Sequence, residues 1–242
     1  MRYLIISDIH GNEPALQSVL HDVGDFDEIW CLGDTVGYGP NPNQCLEQLR
    51  EYPLLCVAGN HDWGVLGQTG LYVFNSAARQ ALLWTRDELT ARNMQMLKDF
   101  PSSLRVQKVL LVHGSPREPI WEYILNTTKA RENFLAIDFQ VALVGHTHMP
   151  VVFEWLPESG RARLMLADYE TPLHLDARRL IINPGSVGQP RDGNPDAAYG
   201  ILDTAANTFE FRRVPYPVVI TQTRMRAKRL PRRLIDRLEI GR

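Results

Sequence analysis

Cysteine is scarce in this 242-residue chain: only Cys31, Cys45 and Cys56 occur, an odd number with no CxxC pair. Apolar neighbours flank most of them, so buried free thiols in a reducing compartment are expected in preference to a disulfide or a thiolate metal site. Long hydrophobic runs are missing as well, and none approaches the roughly 20 residues a bilayer span needs. The opening MRYLIISDIHGN has a four-residue apolar stretch that runs into charge, too short for the core of a signal peptide. A cytoplasmic location with no membrane partner is therefore expected. Net charge is almost absent, at −2, which leaves no bulk electrostatic footprint for nucleic acid. The 17 Gly and 16 Pro follow no period, so collagen-like and low-complexity architectures fail. With 44% hydrophobic and 22% charged residues the composition is that of a globular domain. No linker-like segment or internal repeat divides it, so one domain over residues 1–242 is expected.

The first sixty residues alternate between strand and helix patterns. Tyr3-Leu4-Ile5-Ile6 is a short apolar run fit for a buried strand. Asn12 can then cap a helix that holds Pro14 in its first turn and Ala15, Leu16, Val19, Leu20 and Val23 on one face. Ile29 to Leu32 reads as a second strand, Pro42 opens a second helix, and Leu54 to Ala58 is a third strand. Short loops between such elements imply a parallel sheet with right-handed crossovers. Two helices are expected between Asn75 and Phe100, joined near Thr90, with a further helix over Lys129 to Ile137. Val109 to Val112 and Val141 to Val144 are further strands. Beyond Pro150 the short alternating runs predict an antiparallel second sheet packed on the first.

The segment from Thr221 to Arg242 differs. Eight basic residues stand against Asp236 and Glu239, a net of +6, which leaves −8 on the rest of a chain whose total is −2. A basic helical tail at about 221–242 is expected. It is either a solvated arm on an acidic body or a segment that guides an anionic partner or substrate.

In parallel α/β sheets, functional residues gather beyond the carboxyl ends of the strands. Here those loops read Asp8-x-His10, Gly33-Asp34, Gly59-Asn60-His61-Asp62, His113-Gly114 and Gly145-His146-Thr147-His148. Each supplies a hard oxygen or an imidazole nitrogen. Such a mixture suits Mn, Fe, Zn, Co or Ni rather than Ca, which prefers oxygen alone. Seven candidate ligands exceed what one catalytic zinc needs. They suffice for two ions about 3.5–4 Å apart that share a carboxylate and ionise water for in-line attack at phosphorus. His21 and His174 have no such setting and are assigned to surface or packing roles.

These five blocks resemble the calcineurin-like metallophosphoesterase superfamily, whose pattern is DxH, GDxx, GNHD/E, a later H, and GHxH. The NPGSVGQPRDG segment resembles its compact bacterial and archaeal phosphodiesterase-like branch. The resemblance implies a four-layer α-β-β-α sandwich and hydrolysis of a phosphate mono- or diester, with the diester favoured. It also implies two divalent metal ions; manganese is the expected metal, with Fe, Zn, Co, Ni or Mg as alternatives. By the same resemblance Asp8, His10 and His148 would hold one ion, Asn60, His113 and His146 the other, and Asp34 would bridge them. His61 would assist the leaving group, and its ordinary pKa of about 6.5 suits an acid near neutrality. Asp62 either orients His61 or only finishes the turn.

One branch shows GDxxDR, whereas Gly33-Asp34-Thr35-Val36-Gly37-Tyr38 lacks that second Asp and the Arg, which speaks against protein phosphatase or diadenosine tetraphosphatase activity. For substrate contacts, Arg191 and Ser186 are the candidates, with Asn183 and Gly185 on the same loop. Arg117 is a weaker one, and Tyr38, Trp63, Trp121 and Tyr123 could wall a nucleoside-sized cleft. The expected partner is a small phosphate ester, with a nucleotide as one possibility; nucleic acid is not favoured, and oligomeric state is open. The alternative is a non-catalytic metal-, protein- or nucleic-acid-binding module on the same fold.

Overall fold

A computed structural model describes residues 1–176 and 178–242. In chain order its elements begin β1 (Arg2–Ile6), α1 (Glu13–Asp22), β2 (Glu28–Cys31), α2 (Pro42–Leu49) and β3 (Leu54–Cys56). There follow α3 (Asn60–Leu66), α4 (Ser76–Glu88), α5 (Ala91–Lys98), β4 (Ser103–Val106), β5 (Val109–Val112), α6 (Thr127–Ala136) and β6 (Val141–Leu143). The chain then runs through β7 (Val151–Leu156), β8 (Arg161–Leu166), β9 (Leu173–His174), β10 (Leu180–Asn183), β11 (Ala197–Asp203) and β12 (Thr208–Val214). Two helices, α7 (Val218–Ala227) and α8 (Arg232–Asp236), close it.

The strands form two six-stranded sheets, ordered β3-β2-β1-β11-β12-β9 and β4-β5-β6-β10-β7-β8. Alternation along β1 shows how the layers are built. Tyr3 and Ile5 point into the seam between the sheets, against Trp30, Leu32, Leu143 and Ile182. Leu4 and Ile6 point the other way, to Leu16 and Val19 of α1. On the far side, Phe134 of α6 covers Val112 and Ile181. Helices therefore flank both sheets, and the expected four-layer sandwich is the observed architecture. Each fully buried Leu or Ile in these layers contributes about 1.5–3 kcal/mol.

Local sequence accounts for the helix starts. The Asn12 side chain accepts from Ala15 N, Pro42 opens α2, and Thr90 caps α5 at the junction with α4. The single antiparallel second sheet expected beyond Pro150 is not what forms. Hairpins β7–β8 and β11–β12 are antiparallel, but they enter different sheets, and β10 pairs parallel with β6. The reason lies in β10, whose Leu180-Ile181-Ile182-Asn183 is buried at every position, as a central strand requires.

The basic tail is not a solvated arm. Met225, Leu230, Leu234, Ile235 and Leu238 are buried in one cluster with Val36, Tyr38 and Leu46. Its charges meet the acidic body where Arg224 pairs with Glu13 and Lys228 with Glu88. Among the described residues, no helix is long and apolar enough to cross a membrane.

Candidate metal centre

β1, β2 and β3 run parallel in one sheet, and β5, β6 and β10 run parallel in the other. Their carboxyl ends therefore open onto the same edge of the seam. Asp8 N donates to Gly33 O at 3.0 Å, and His10 N to Asp34 O at 2.9 Å. Gly145 N donates to His113 O at 2.8 Å, and His146 N crosses between the sheets to Asp8 Oδ2 at 3.1 Å.

Turning the ligands inward demands unusual backbone. Asp8, His10, Asp34, Tyr38, His146 and His148 all have φ between 49° and 64°, six of the ten non-glycine residues with positive φ among those described. Each such residue carries strain of order 1–3 kcal/mol, which persists where the surrounding structure enforces it. Glycine is required where the loops touch: a Cβ on Gly59 would lie 2.1 Å from Asp34 Oδ1, and one on Gly145 2.0 Å from Ser7 Oγ.

The side chains form two linked groups. His148 Nε2 lies 3.1 Å from Asp8 Oδ1 and 3.2 Å from His10 Nε2. His113 Nε2 lies 3.1 Å from Asn60 Oδ1 and 3.0 Å from His146 Nδ1. Asp34 Oδ2 stands between them, 3.6 Å from His10 Nε2 and 3.4 Å from His113 Nε2. All seven predicted ligands are buried and brought together. Asp8–His10–His148, His10–Asp34–His61 and Asp34–His113–His146 each have the compactness a shared ion requires.

The hydrogen bonds behind the rings fix which nitrogens face inward. His10 Nδ1 is engaged by Val36 O, His113 Nδ1 by Leu32 O, His148 Nδ1 by Gln189 O and His146 Nε2 by Trp121 O. Each ring thus donates outward and turns its other nitrogen into the cluster. Two lone pairs 3.0–3.2 Å apart repel unless a cation or proton sits between them. Asp8 Oδ1 is buried and has no hydrogen-bond partner at all. These donors fit divalent cations with mixed nitrogen and oxygen ligands.

Electrostatics point the same way. Burial alone would raise the Asp8 and Asp34 carboxyls, but the rings of His148 beside Asp8, and of His113 and His61 beside Asp34, hold both far below the usual range. Burial opposes the charged form of His113, yet Asp34 wins and lifts it to about 9. Burial lowers His10, His146 and His148, with His113 adding to the effect at His146 and Arg191 at His148. Two carboxylates and one imidazolium leave negative charge in a water-poor site, a setting that attracts cations.

A profile of the calcineurin-like phosphoesterase superfamily domain matches residues 1–207. The chain belongs to that superfamily. This metal-dependent phosphoesterase is 30% identical over 216 residues to the phosphodiesterase YfcE of Escherichia coli strain K12, covering 84% of this chain and 88% of that protein. It is 39% identical over 247 residues to the uncharacterized protein MJ0912 of Methanocaldococcus jannaschii, covering 98% and 97% of the two chains. The crystal structure of a metallophosphoesterase from Sphaerobacter thermophilus superposes with a TM-score of 0.92 at 44% identity, over 100% of this chain and 99% of that one.

Around the ligands of this phosphoesterase, several expectations need correction. His61 lies in the cluster, its ring 4.2 Å from Tyr38 and 4.8 Å from His10 between centroids, with Phe74 edge-on at 5.2 Å. Its pKa is not the ordinary one, because burial pushes it down to about 4 against the pull of Asp34. Asp62 does not orient that ring. Its Oδ1 accepts from Thr35 Oγ1 and Val36 N, and its Oδ2 from Gly59 N, so it fastens two ligand loops together. Burial and then Asp34 raise it to about 7, with the Gly59 and Thr35 donors opposing.

Ser186 is fully buried and donates to Asp8 O at 2.9 Å, which removes it from substrate contact and makes it a support for a ligand strand. Asn183 Nδ2 braces the GHTH loop through Gly145 O at 2.6 Å and Thr147 Oγ1 at 2.9 Å. Arg117 is taken up by Glu122 and Glu132. Arg191 is half-buried beside the site, its guanidinium held by Gln189 Oε1 at 2.8 Å. Tyr123 stacks on His146 at 3.7 Å, and Trp121 meets Phe74 at 5.3 Å. Phe74 and Gln189 were not singled out from sequence. Gln189 stands beside Arg191 in GQPRDG, and its proximity to that basic residue was the available signal.

Proposed function

We propose that the chain hydrolyses phosphodiesters, and monoesters less readily, at a pair of divalent ions of which manganese is the expected kind, in the cytoplasm. The observation that carries this reading is the position of Asp34 Oδ2, within 3.6 Å of one histidine group and 3.4 Å of the other. One carboxylate oxygen that serves both groups is what two neighbouring cations require to offset their repulsion. Asp8, His10 and His148 would hold one ion and Asn60, His113 and His146 the second. When bound, such ions neutralise phosphoryl oxygens and bring the pKa of water toward neutrality.

The remaining chemistry belongs to the chain. His61 shares the cluster with His10 and Asp34, and its Nδ1 is buried against Gly37, so Nε2 is the nitrogen left to meet the substrate. A ring with a pKa of about 4 is neutral at pH 7, and the charge of an arriving phosphate raises it. It then donates toward the departing alkoxide. Asp62 and Ser186 keep the loops in register, while Arg191 faces the anion. The YfcE relative is a phosphodiesterase by name, which supports the diester preference.

The test measures bound metal per chain and the hydrolysis of bis-p-nitrophenyl phosphate and p-nitrophenyl phosphate across Mn²⁺, Fe²⁺, Zn²⁺, Co²⁺, Ni²⁺ and Mg²⁺. Two ions per chain and faster diester turnover are expected, and Asp34→Asn lowers both metal content and rate. A protein that holds two ions and cleaves neither ester overturns the proposal.

A further inference from the structure

We propose that Arg191 and Arg237, with the side-chain amide of Gln189, form a second anion subsite beside the metal ligands, so that the substrate is one whose reacting phosphoryl group is joined to a further phosphate. The proposal rests on the phosphoesterase reading and adds the substrate class to it.

The helical tail brings Arg237 to the site. Leu234 and Leu238, on either side of Arg237 in sequence, are buried in the same cluster as Tyr38. The Tyr38 ring lies 4.5 Å from His10 and 4.2 Å from His61, so the tail packs directly behind the residues that face the reacting centre. At its end, Gly193 N donates to Gly241 O at 2.9 Å, tying the tail to the loop that carries Gln189 and Arg191. That loop is part of the ligand shell, because Gln189 O accepts from His148 Nδ1 and Arg191 N donates to His148 O.

Charge at this place is unbalanced. Arg191 is held by the neutral Gln189 Oε1 beside the Tyr38 hydroxyl, and Arg237 by a main-chain oxygen of Arg242, the last residue of the sequence. Neither pairs with an aspartate or glutamate side chain among the described residues, whereas Arg117, Arg163, Arg178, Arg213 and Arg224 all do. Both are half-buried and close enough to oppose one another, and burial with the Arg191 charge lowers Arg237 to about 10. Gln189 adds a donor in need of an acceptor: the residue is 1% exposed and its Nε2 has no partner. Two like-charged guanidiniums and an orphaned amide converge on one place, and an anion satisfies all three. Beyond Arg237 the surface opens into a basin of about 630 Å³ lined also by Arg232, Arg233 and Arg242, with Asp236 (paired with Arg232) and Ile240, and with room for the rest of a polyphosphate compound.

A phosphate is favoured over a carboxylate because each guanidinium is a planar fork that pairs with two oxygens, and one phosphate can serve both forks and the amide. The metals would take the reacting phosphoryl group; the arginines take its neighbour.

Calorimetric titration of inorganic pyrophosphate and orthophosphate into the metal-loaded full chain tests this. Wild type is expected to bind pyrophosphate at least about tenfold more tightly than orthophosphate. Arg237→Gln should shrink that ratio to about twofold, Arg237→Lys should keep part of it, and Arg131→Gln, far along α6, should leave it intact. A wild-type ratio near one, or a ratio that Arg237→Gln does not change, overturns the subsite. So does an equal loss of both anions in Arg237→Gln. If the nitrophenyl esters resist hydrolysis while the pyrophosphate preference and its Arg237 dependence hold, the subsite stands and the phosphoesterase reading alone fails.

Discussion

His113 enters the metal-free site carrying a proton, because the Asp34 carboxylate 3.4 Å from its Nε2 lifts its pKa to about 9. A metal ligand must present a lone pair, so binding displaces that proton. Apparent metal affinity should therefore rise about tenfold per pH unit between 7 and 9, with about one proton released per chain at pH 7. Calorimetry in buffers of different ionisation enthalpy checks both numbers, and His113→Gln should abolish the release. His61 has the opposite bias. Its folded pKa of about 4 lies below the ordinary 6.5, so the unfolded chain binds the proton more readily. A stability penalty sets in as pH falls through 6.5 and is complete below 4. Metal-free wild type should lose on the order of 3 kcal/mol relative to His61→Gln across that window, read from denaturant midpoints. In the loaded enzyme the same variant should lower turnover by roughly 10²–10⁴-fold. Residue identity was legible at this scale, since all seven residues that the structure buries together were named from strand ends in sequence. Residue environment was not. Burial moved His61 away from its ordinary pKa, and a strand-end serine, Ser186, proved to point backwards at Asp8 O.

Among elements, the closing helices carry the least expected weight. The eight basic residues of the tail dominate its composition and hide the spacing of Met225, Leu230, Leu234 and Leu238, which turn inward. Charge marked the exposed face of the tail, and that face alone suggested an arm. Leu238→Ala is expected to destabilise the protein by about 2–5 kcal/mol, the range for a buried leucine. Exposed Arg226→Ala should stay within about 0.5 kcal/mol. Because Leu238 shares a cluster with Tyr38, the leucine variant should also slow ester hydrolysis, whereas the arginine variant should not. Urea midpoints and turnover on the same preparations check the pair. The first half of the chain was easier to read, since Asn12, Pro42 and Thr90 announce helix starts by local chemistry. Strand partners in the second half depend on long-range pairing: β11 lies between β1 and β12, nearly two hundred residues from its first neighbour, and no local pattern encodes that.

For the whole molecule, the ligands form a clasp across the two sheets. Asp8, Asp34 and Asn60 follow strands of one sheet, and His113, His146 and His148 follow strands of the other. Without cations, hydrogen bonds such as His146 N to Asp8 Oδ2 and His113 Nδ1 to Leu32 O cross that edge, while the inward nitrogens of His10 and His148 face each other across it at 3.2 Å. Ions bound there would hold the sheets together. A ligand at a hundred times its Kd stabilises a fold by about 2.7 kcal/mol through mass action alone. For a chain of this size each kcal/mol moves Tm by about 2–4 °C, so saturating Mn²⁺ should raise Tm by about 5–10 °C over protein in chelator. Asp34→Asn should lose most of that rise, because its carboxylate serves both groups of ligands. Ser186→Ala should keep it while lowering Tm in both states, since that hydroxyl supports the Asp8 backbone whether or not an ion is present. Thermal melts of the three proteins with metal and with chelator separate these outcomes. Equal melting of wild type in both conditions would show that the two sheets are not joined through these side chains.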